Sequence, residues 1–315
     1  MMPTPTRLAL VDIGTNTTKF VTVRLAGSGF EETGFSKATT RLGGGLFTGG
    51  GVSREAIDAT SESIRRFRAS TDDRTALFAF ATYALRKARN APYVIHTLER
   101  ALGTKLHILS GKREARFAWL SARRNLRLTK PYSVLVDIGG GSTELAVVHH
   151  RRVLHARSYS LGALHLTERF IASDPPSKNE TTQLNAAVQK TVSSALARAG
   201  IAGIGAVRMD LIVSGGSVGT AVRMLTPRPR ESGRQSCHGI QRGAIEALRD
   251  RCVTMTLSRR KQLHGLEPDR ADIIYAGLAI LLEFMRGCGK RVALFNSAGV
   301  RHGAIIHLIE NDFRW

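Results

Sequence analysis

Two stretches of this chain repeat one another 125 residues apart. The first runs Leu8-Ala9-Leu10-Val11, then Asp12-Ile13-Gly14-Thr15-Asn16-Thr17, then Phe20-Val21-Thr22-Val23. The second runs Val134-Leu135-Val136, then Asp137-Ile138-Gly139-Gly140-Gly141-Ser142-Thr143-Glu144, then Leu145-Ala146-Val147-Val148. Each copy reads as strand, tight polar turn, strand, and each turn opens on an aspartate. A dinucleotide-binding fingerprint also follows a strand with glycines, but it needs a helix straight after the turn. β-branched strand residues follow here instead, so that reading is excluded. Two domains built on one plan account for the repeat, and 315 residues are enough for two domains of about 150 residues each.

The chain carries 46 Lys and Arg against 25 Asp and Glu, a formal charge of +21, and 36 of the basic residues are Arg. Guanidinium groups match phosphate and carboxylate best, so a polyanionic partner is expected beside the alternative of a solvated basic surface. An apolar content of 43% fits two buried cores. The most apolar run, Ala276 to Met285, is about half of a membrane span and lies between Asp272 and Arg286, so no membrane partner is expected. The N-terminus shows no secretory pattern. Three cysteines, Cys237, Cys252 and Cys288, form neither a disulfide framework nor a zinc pattern, which predicts free thiols in the cytoplasm.

Between the repeats the pattern is α/β. Ser53 caps a helix carrying Ala56, Ile57, Ile64 and Phe67, and Ala76 to Phe80 is a strand followed by a helical turn through Arg86. Leu106 to Leu109 is a short strand, and Gly111 opens a helix. Further on, a helix runs from about Glu180 to Gly200, Leu211 to Val213 is a strand entering Ser214-Gly215-Gly216-Ser217, two helices flank Gly265, and Val292 to Phe295 is the last strand. Thr226 to Gly239 has loop composition and holds Arg228, Arg230 and Arg234.

Both repeated turns place Gly backbone N–H groups beside Ser or Thr hydroxyls, a donor nest suited to phosphate oxygens. The loop Gly215-Gly216-Ser217 supplies a third. Asp12, Asp137 and Glu144 stand at these anion-binding turns, where their charge would repel a phosphate. A divalent cation held by hard oxygen ligands resolves the conflict. Glu114, in the first turn of its helix, is favoured in the ionised form by the helix dipole, which suits a base or a ligand. His149-His150 reads as a solvated hairpin turn. No Ser or Cys has an evident His partner for covalent catalysis.

Taken in order, these motifs resemble the exopolyphosphatase and guanosine pentaphosphate phosphohydrolase (Ppx/GppA) family of the actin-like ATPase superfamily, in its short two-domain form. The resemblance extends through Ala81-Thr82-Tyr83-Ala84-Leu85-Arg86-Lys87-Ala88-Arg89-Asn90, Ser110-Gly111-Lys112-Arg113-Glu114-Ala115-Arg116 and Leu161-Gly162-Ala163. It continues through Leu166 to Phe170, Gly265 to Asp272 and Ser297 to Gly303. It implies two actin-like (ribonuclease H-like) α/β domains with mixed sheets flanked by helices around a central cleft. The expected limits are 1–122, with the C-terminal helix 300–315 returning to it, and 123–299.

The resemblance also implies Mg²⁺-assisted release of terminal phosphate from inorganic polyphosphate, or hydrolysis of pppGpp or ppGpp, with Mn²⁺ as a substitute ion. By motif, Glu114 and Glu144 activate or position the attacking water, and Asp12, Asp137 and Glu144 organise the metal. Arg86 contacts phosphate, together with Gly14, Thr15, Asn16, Thr17, Gly139, Gly140, Gly141, Ser142, Gly215, Gly216 and Ser217. Arg228, Arg230 and Arg234 are a candidate track for a long polymer. One departure stands out, since Arg113 occupies the place of a second acidic residue that usually precedes the catalytic Glu. A polyphosphate-binding protein with little turnover is the rival from another class, and retention of both glutamates argues against it. No motif for reading a nucleic-acid sequence is present, and a homodimer is left open.

Overall fold

The computed structural model describes residues 6–27, 29–72, 74–226 and 239–315. It divides into two compact units, one of Met1–Ser110 with Ala304–Trp315 and one of Gly111–Gly303. The boundary expected at residue 122 would cut the helix Gly111–Asn125. The whole of that helix belongs to the second unit because Ala115, Ala118, Trp119 and Ala122 pack on Leu135, Ala146 and Ile212 of its sheet.

The first unit holds strands β1 (Arg7–Ile13), β2 (Thr18–Ala26), β3 (Gly29–Ala38), β4 (Ala76–Ala81) and β5 (His107–Ile108), in the order β3-β2-β1-β4-β5. β1, β2 and β3 are antiparallel neighbours, whereas β4 and β5 join parallel on the other side of β1. β1 is buried at every residue from Leu8 to Ile13, as a central strand covered on both faces must be. The edge strand β3 is mostly exposed. The helix Arg54–Ala69 starts at Ser53, whose side chain accepts from the Ala56 N–H at 3.2 Å. Its Ile57, Ile64 and Phe67 are buried, with the Phe67 ring stacked on Phe20 at 5.1 Å. Full burial of each such side chain contributes about 1.5–3 kcal/mol. Trp315 closes this unit by stacking on His107 at 5.1 Å and meeting Phe80 edge-on at 5.8 Å.

The second unit repeats that plan. Its strands β6 (Tyr132–Ile138), β7 (Thr143–His149), β8 (Arg152–Tyr159), β9 (Met209–Ser214), β10 (Gly239–Gln241) and β11 (Val292–Phe295) lie in the order β10-β11-β9-β6-β7-β8. Again three consecutive strands are antiparallel, and again two later strands, β9 and β11, join parallel beyond the first of them. β10 extends the far edge. Both units therefore have the mixed sheets flanked by helices that the resemblance implies.

The helix expected from about Glu180 begins earlier, at Lys178, because Ser177 and Glu180 form a reciprocal capping box. The apolar run from Ala276 is the middle of the helix Ile274–Gly287, buried almost all round in the core of this unit. No helix among the described residues is long and apolar enough to cross a membrane.

Candidate functional site

The two repeated turns have the same internal geometry. In the first unit the Gly14 N–H donates to Thr17 O at 3.1 Å, and in the second the Gly139 N–H donates to Ser142 O at 2.9 Å. A Cβ on Gly14 would sit 2.9 Å from Thr17 O, and one on Gly139 would sit 3.0 Å from Ser142 O. Each glycine is thus required by the tight closure of its own turn. The turn carbonyls are held by the segment that follows the third strand. Arg41 N–H donates to Asn16 O and Gly43 N–H to Thr15 O in the first unit; Ala163 N–H donates to Gly139 O and His165 N–H to Gly140 O in the second.

Strand register converts the second turn into a site. β6 and β7 pair Asp137 with Glu144, β7 and β8 pair Glu144 with Ser158, and β6 and β9 pair Asp137 with Ser214. Four residues therefore stand in one row across four strands, Ser214–Asp137–Glu144–Ser158. Alternation puts them on the sheet face that also carries Leu135, Ala146 and Ile212, the face covered by the helix Gly111–Asn125. Hydrogen bonds lock the row. Ser214 Oγ donates to Asp137 Oδ1, and Glu144 Oε1 accepts from Ser142 Oγ at 2.8 Å and from Ser158 Oγ at 2.6 Å. Asp137 is 9% exposed and Glu144 2%, so both carboxylates are held by the protein rather than by bulk water.

Glu114 lies in the first turn of the covering helix and is 4% exposed. Its neighbour Arg113, half-buried, rests its guanidinium 5.5 Å from the Phe117 ring centroid one turn on. The third glycine loop comes off β9 at the same end of the sheet. Gly215 has φ 105°, and a Cβ there would lie 2.2 Å from Ile138 O, so only glycine fits between β9 and β6 at this point. Ser217 is buried in the first turn of the helix Gly216–Leu225. The second unit thus gathers Asp137, the Gly139–Ser142 turn, Glu144 and the Gly215 loop at one end of its sheet.

The first unit carries Asp12, the Gly14–Thr17 turn and Arg86. Asp12 is 7% exposed and its carboxylate lies 3.7 Å from Lys19 Nζ, its cross-strand neighbour. Thr15, Asn16 and Thr17 are buried, and Asn16 Oδ1 has no hydrogen-bond partner. That deficit costs about 1–3 kcal/mol, which a donor on a bound ligand would remove. Arg86, half-buried, donates from Nη1 to Leu109 O at 2.6 Å and lies over the Tyr83 ring at 5.6 Å. Arg228, Arg230 and Arg234 lie outside the described residues.

Sequence spacing missed Lys19, Ser158 and Ser214. Only the register reveals them, and the signal available in the sequence was the repeat itself, which aligns Lys19 with Glu144. His165 follows the second turn, and its backbone N–H holds the Gly140 carbonyl. Burial, and secondarily Arg169, push its pKa below the ordinary 6.5, against the raising effect of a hydrogen bond to the Gly141 backbone. His149 is not simply solvated; its ring stacks on Tyr132 at 4.4 Å.

Among the described residues no group of three or more His, Cys, Asp or Glu is placed to hold a metal ion. The second unit instead offers two buried carboxylates on adjacent strands. Such a pair fits Mg²⁺, which is usually held by one or two carboxylates while phosphate oxygens and water complete its octahedron.

Comparison with known proteins adds an independent line. The Ppx/GppA phosphatase family matches residues 23–312. A Mycobacterium leprae protein named Exopolyphosphatase 1 is 27% identical over 97% of this chain and 90% of its own. A guanosine-5'-triphosphate,3'-diphosphate pyrophosphatase of Pseudoalteromonas atlantica is 25% identical over 96% of this chain, which spans 58% of that protein. Among solved structures, an exopolyphosphatase from Cytophaga hutchinsonii superposes with a TM-score of 0.86 at 19% identity, over 97% of this chain and 98% of that one. The Aquifex aeolicus Ppx/GppA family member gives 0.78 at 22% identity, over 98% and 99%. These structures share the fold.

Proposed function

This chain belongs to the Ppx/GppA phosphatase family, and from that premise we propose that it is an exopolyphosphatase, releasing terminal orthophosphate from inorganic polyphosphate. The observation that carries the reading is the buried Asp137–Glu144 pair, fixed by hydroxyl hydrogen bonds directly beside the Gly139–Ser142 turn. Backbone amides of that turn, with Ser142 and Ser217, hold and orient phosphate oxygens. One of the two glutamates, Glu114 or Glu144, accepts the proton that water gives up as its oxygen bonds to the terminal phosphorus, and the other positions that water. The P–O anhydride bond breaks, and the shortened chain leaves with its electron pair. Mg²⁺, when held by Asp137 and Glu144, neutralises phosphate charge, and Mn²⁺ is a substitute. Most of the rate enhancement in such a site comes from positioning and charge neutralisation.

Two features support polyphosphate as the substrate. Relatives named as exopolyphosphatases match along nine-tenths of their length, and a charge of +21 suits a polymer carrying about one charge per phosphate. The second reading, pppGpp or ppGpp hydrolysis, is favoured by the pyrophosphatase relative, although this chain spans little more than half of that protein. We also place the chain in the cytoplasm. Cys252 and Cys288 are buried free thiols, the ordinary state in a reducing compartment, and burial pushes Cys288 up to about 12.

Phosphate release from long polyphosphate, short polyphosphate, pppGpp and ATP, compared at equal terminal-group concentration, tests the assignment. Polyphosphate should be turned over fastest. If pppGpp is cleaved far better than any polyphosphate, the second reading replaces the first. Neutralising Arg228, Arg230 and Arg234 together should weaken long-polymer binding and flatten its salt dependence while sparing pppGpp. An unchanged salt slope would remove those three residues from the polymer track.

A further inference from the structure

The hydroxyl that reaches Glu144 from β8 has no counterpart in any motif of the chain. Ser158 is the in-register neighbour of Glu144, so both side chains project from the same face of the sheet. Its Oγ donates to Glu144 Oε1 at 2.6 Å, while Ser142 donates to the same oxygen at 2.8 Å from within the turn. Two donors converging on one carboxylate oxygen leave that side chain little rotational freedom.

Ser158 also meets the covering helix. A Cβ built on Gly111, the first residue of the helix Gly111–Asn125, would lie 2.2 Å from Ser158 Cβ and 3.3 Å from its Cα. The helix begins where it does because glycine lets its backbone settle onto Ser158. Glu114 follows three residues later in that same first turn. One small side chain therefore touches the carboxylate on β7 and sets the seat of the helix that carries the other glutamate. Larger residues at 158 would drive the helix start away, and alanine would keep the seat while removing one of the two hydroxyl donors on Glu144 Oε1.

We propose that Ser158 is a positioning residue, which orients Glu144 and fixes the spacing between Glu144 and Glu114. The inference rests on the reading of Glu144 as the group that handles the attacking water. It assigns Ser158 no contact with substrate, so its effect belongs in turnover rather than in substrate affinity.

The test is a double-mutant cycle on phosphate release from polyphosphate, with melting curves for every variant. Ser158→Ala should melt close to the parent, lower kcat by about 10- to 100-fold and leave KM within about twofold, as expected for losing a hydrogen bond to a charged group. In a Glu144→Gln background the same substitution should cost less than about twofold, because a residue acting through Glu144 has nothing left to orient. A merely structural role would lower both backgrounds by the same factor. Gly111→Ala, which displaces Ser158 without removing its hydroxyl, should also lower kcat with KM preserved. Unchanged kcat in Ser158→Ala, or an equal loss in the two backgrounds, overturns the proposal. Full turnover in Glu144→Gln alone would instead overturn the reading beneath it, and the two failures are told apart by that single variant.

Discussion

The two units carry the same row of positions with opposite chemistry. In the second unit the row across four strands is Ser214–Asp137–Glu144–Ser158; in the first, the equivalent register gives Phe80–Asp12–Lys19–Lys37. Each row lies beside a turn closed by the same glycine hydrogen bond. The aspartate is common to both, yet one is paired with a carboxylate and the other with an ammonium group at 3.7 Å. A duplicated frame fixes where a side chain stands and leaves its chemistry free. The second row sets two carboxylates side by side, whereas in the first Lys19 balances the charge of Asp12, which sets Asp12 apart from the metal role expected of it beside Asp137 and Glu144.

The largest effect expected from this contrast is in metal dependence. Exhaustive chelation should abolish phosphate release, and Mg²⁺ or Mn²⁺ should restore it. Calorimetric titration of the ion should lose its heat in Asp137→Asn and keep it in Asp12→Asn. Equal loss in both variants would erase the proposed division of labour between the rows.

Next come the glutamates. Glu144→Gln and Glu114→Gln should each lower kcat by about 10²-fold or more with polyphosphate binding intact. Lys19→Gln should act mainly on KM, within about tenfold. Near-normal turnover in Glu114→Gln would leave that residue as an ordinary helix-start glutamate.

Stability separates the units further. A Cβ on Gly162 would fall 2.3 Å from the Gly140 carbonyl oxygen, which is backbone, while one on Gly43 would fall 2.3 Å from a Thr15 methyl, which is a side-chain atom. Gly162→Ala should therefore cost about 1–3 kcal/mol and lower the melting temperature by several degrees, with Gly43→Ala costing less. The reverse order in thermal melts would show that the second turn is the more yielding one.

The smallest effect concerns His165. Its folded pKa is depressed, so as pH falls below about 6.5 the unfolded chain takes up the proton first. Stability therefore rises with pH across that window and is lost on acidification through it. His165→Gln should flatten this limb in denaturant unfolding between pH 5 and 7, and an unchanged limb would assign it to other groups.

Much of this arrangement was legible in the chain. The Gly14 and Gly139 turns, their flanking strands and the helix opening at Gly111 follow from local pattern, because turn chemistry and strand alternation are written in consecutive residues. Ser53 likewise declared its helix. The edge strands β3 and β8 were not legible, since Gly29–Ala38 and Arg152–Tyr159 are polar and mostly exposed or half-buried, and carry no apolar alternation. With β8 went Ser158, whose partner Glu144 lies 14 residues away. Ser214 was visible as part of a glycine loop but not as the partner of Asp137, a pairing made only when β9 joins β6. The start of the helix Gly111–Asn125 was readable, but its end and its allegiance to the second unit were not, because tertiary packing of Ala118 and Ala122 decides the latter.

That last pairing has a consequence for how the protein acquires activity. Asp137 and Ser214 are 77 residues apart, and their strands are parallel neighbours that need the intervening helix to cross over before they can meet. Contacts of such long sequence separation form late, after the local hairpins of β6, β7 and β8. A chain emerging during synthesis will hold Glu144 and Ser158 together well before Asp137 is secured. Hydrolysis should then lag behind the appearance of secondary structure in refolding, so that the first released phosphate marks the docking of β9 rather than the collapse of the chain.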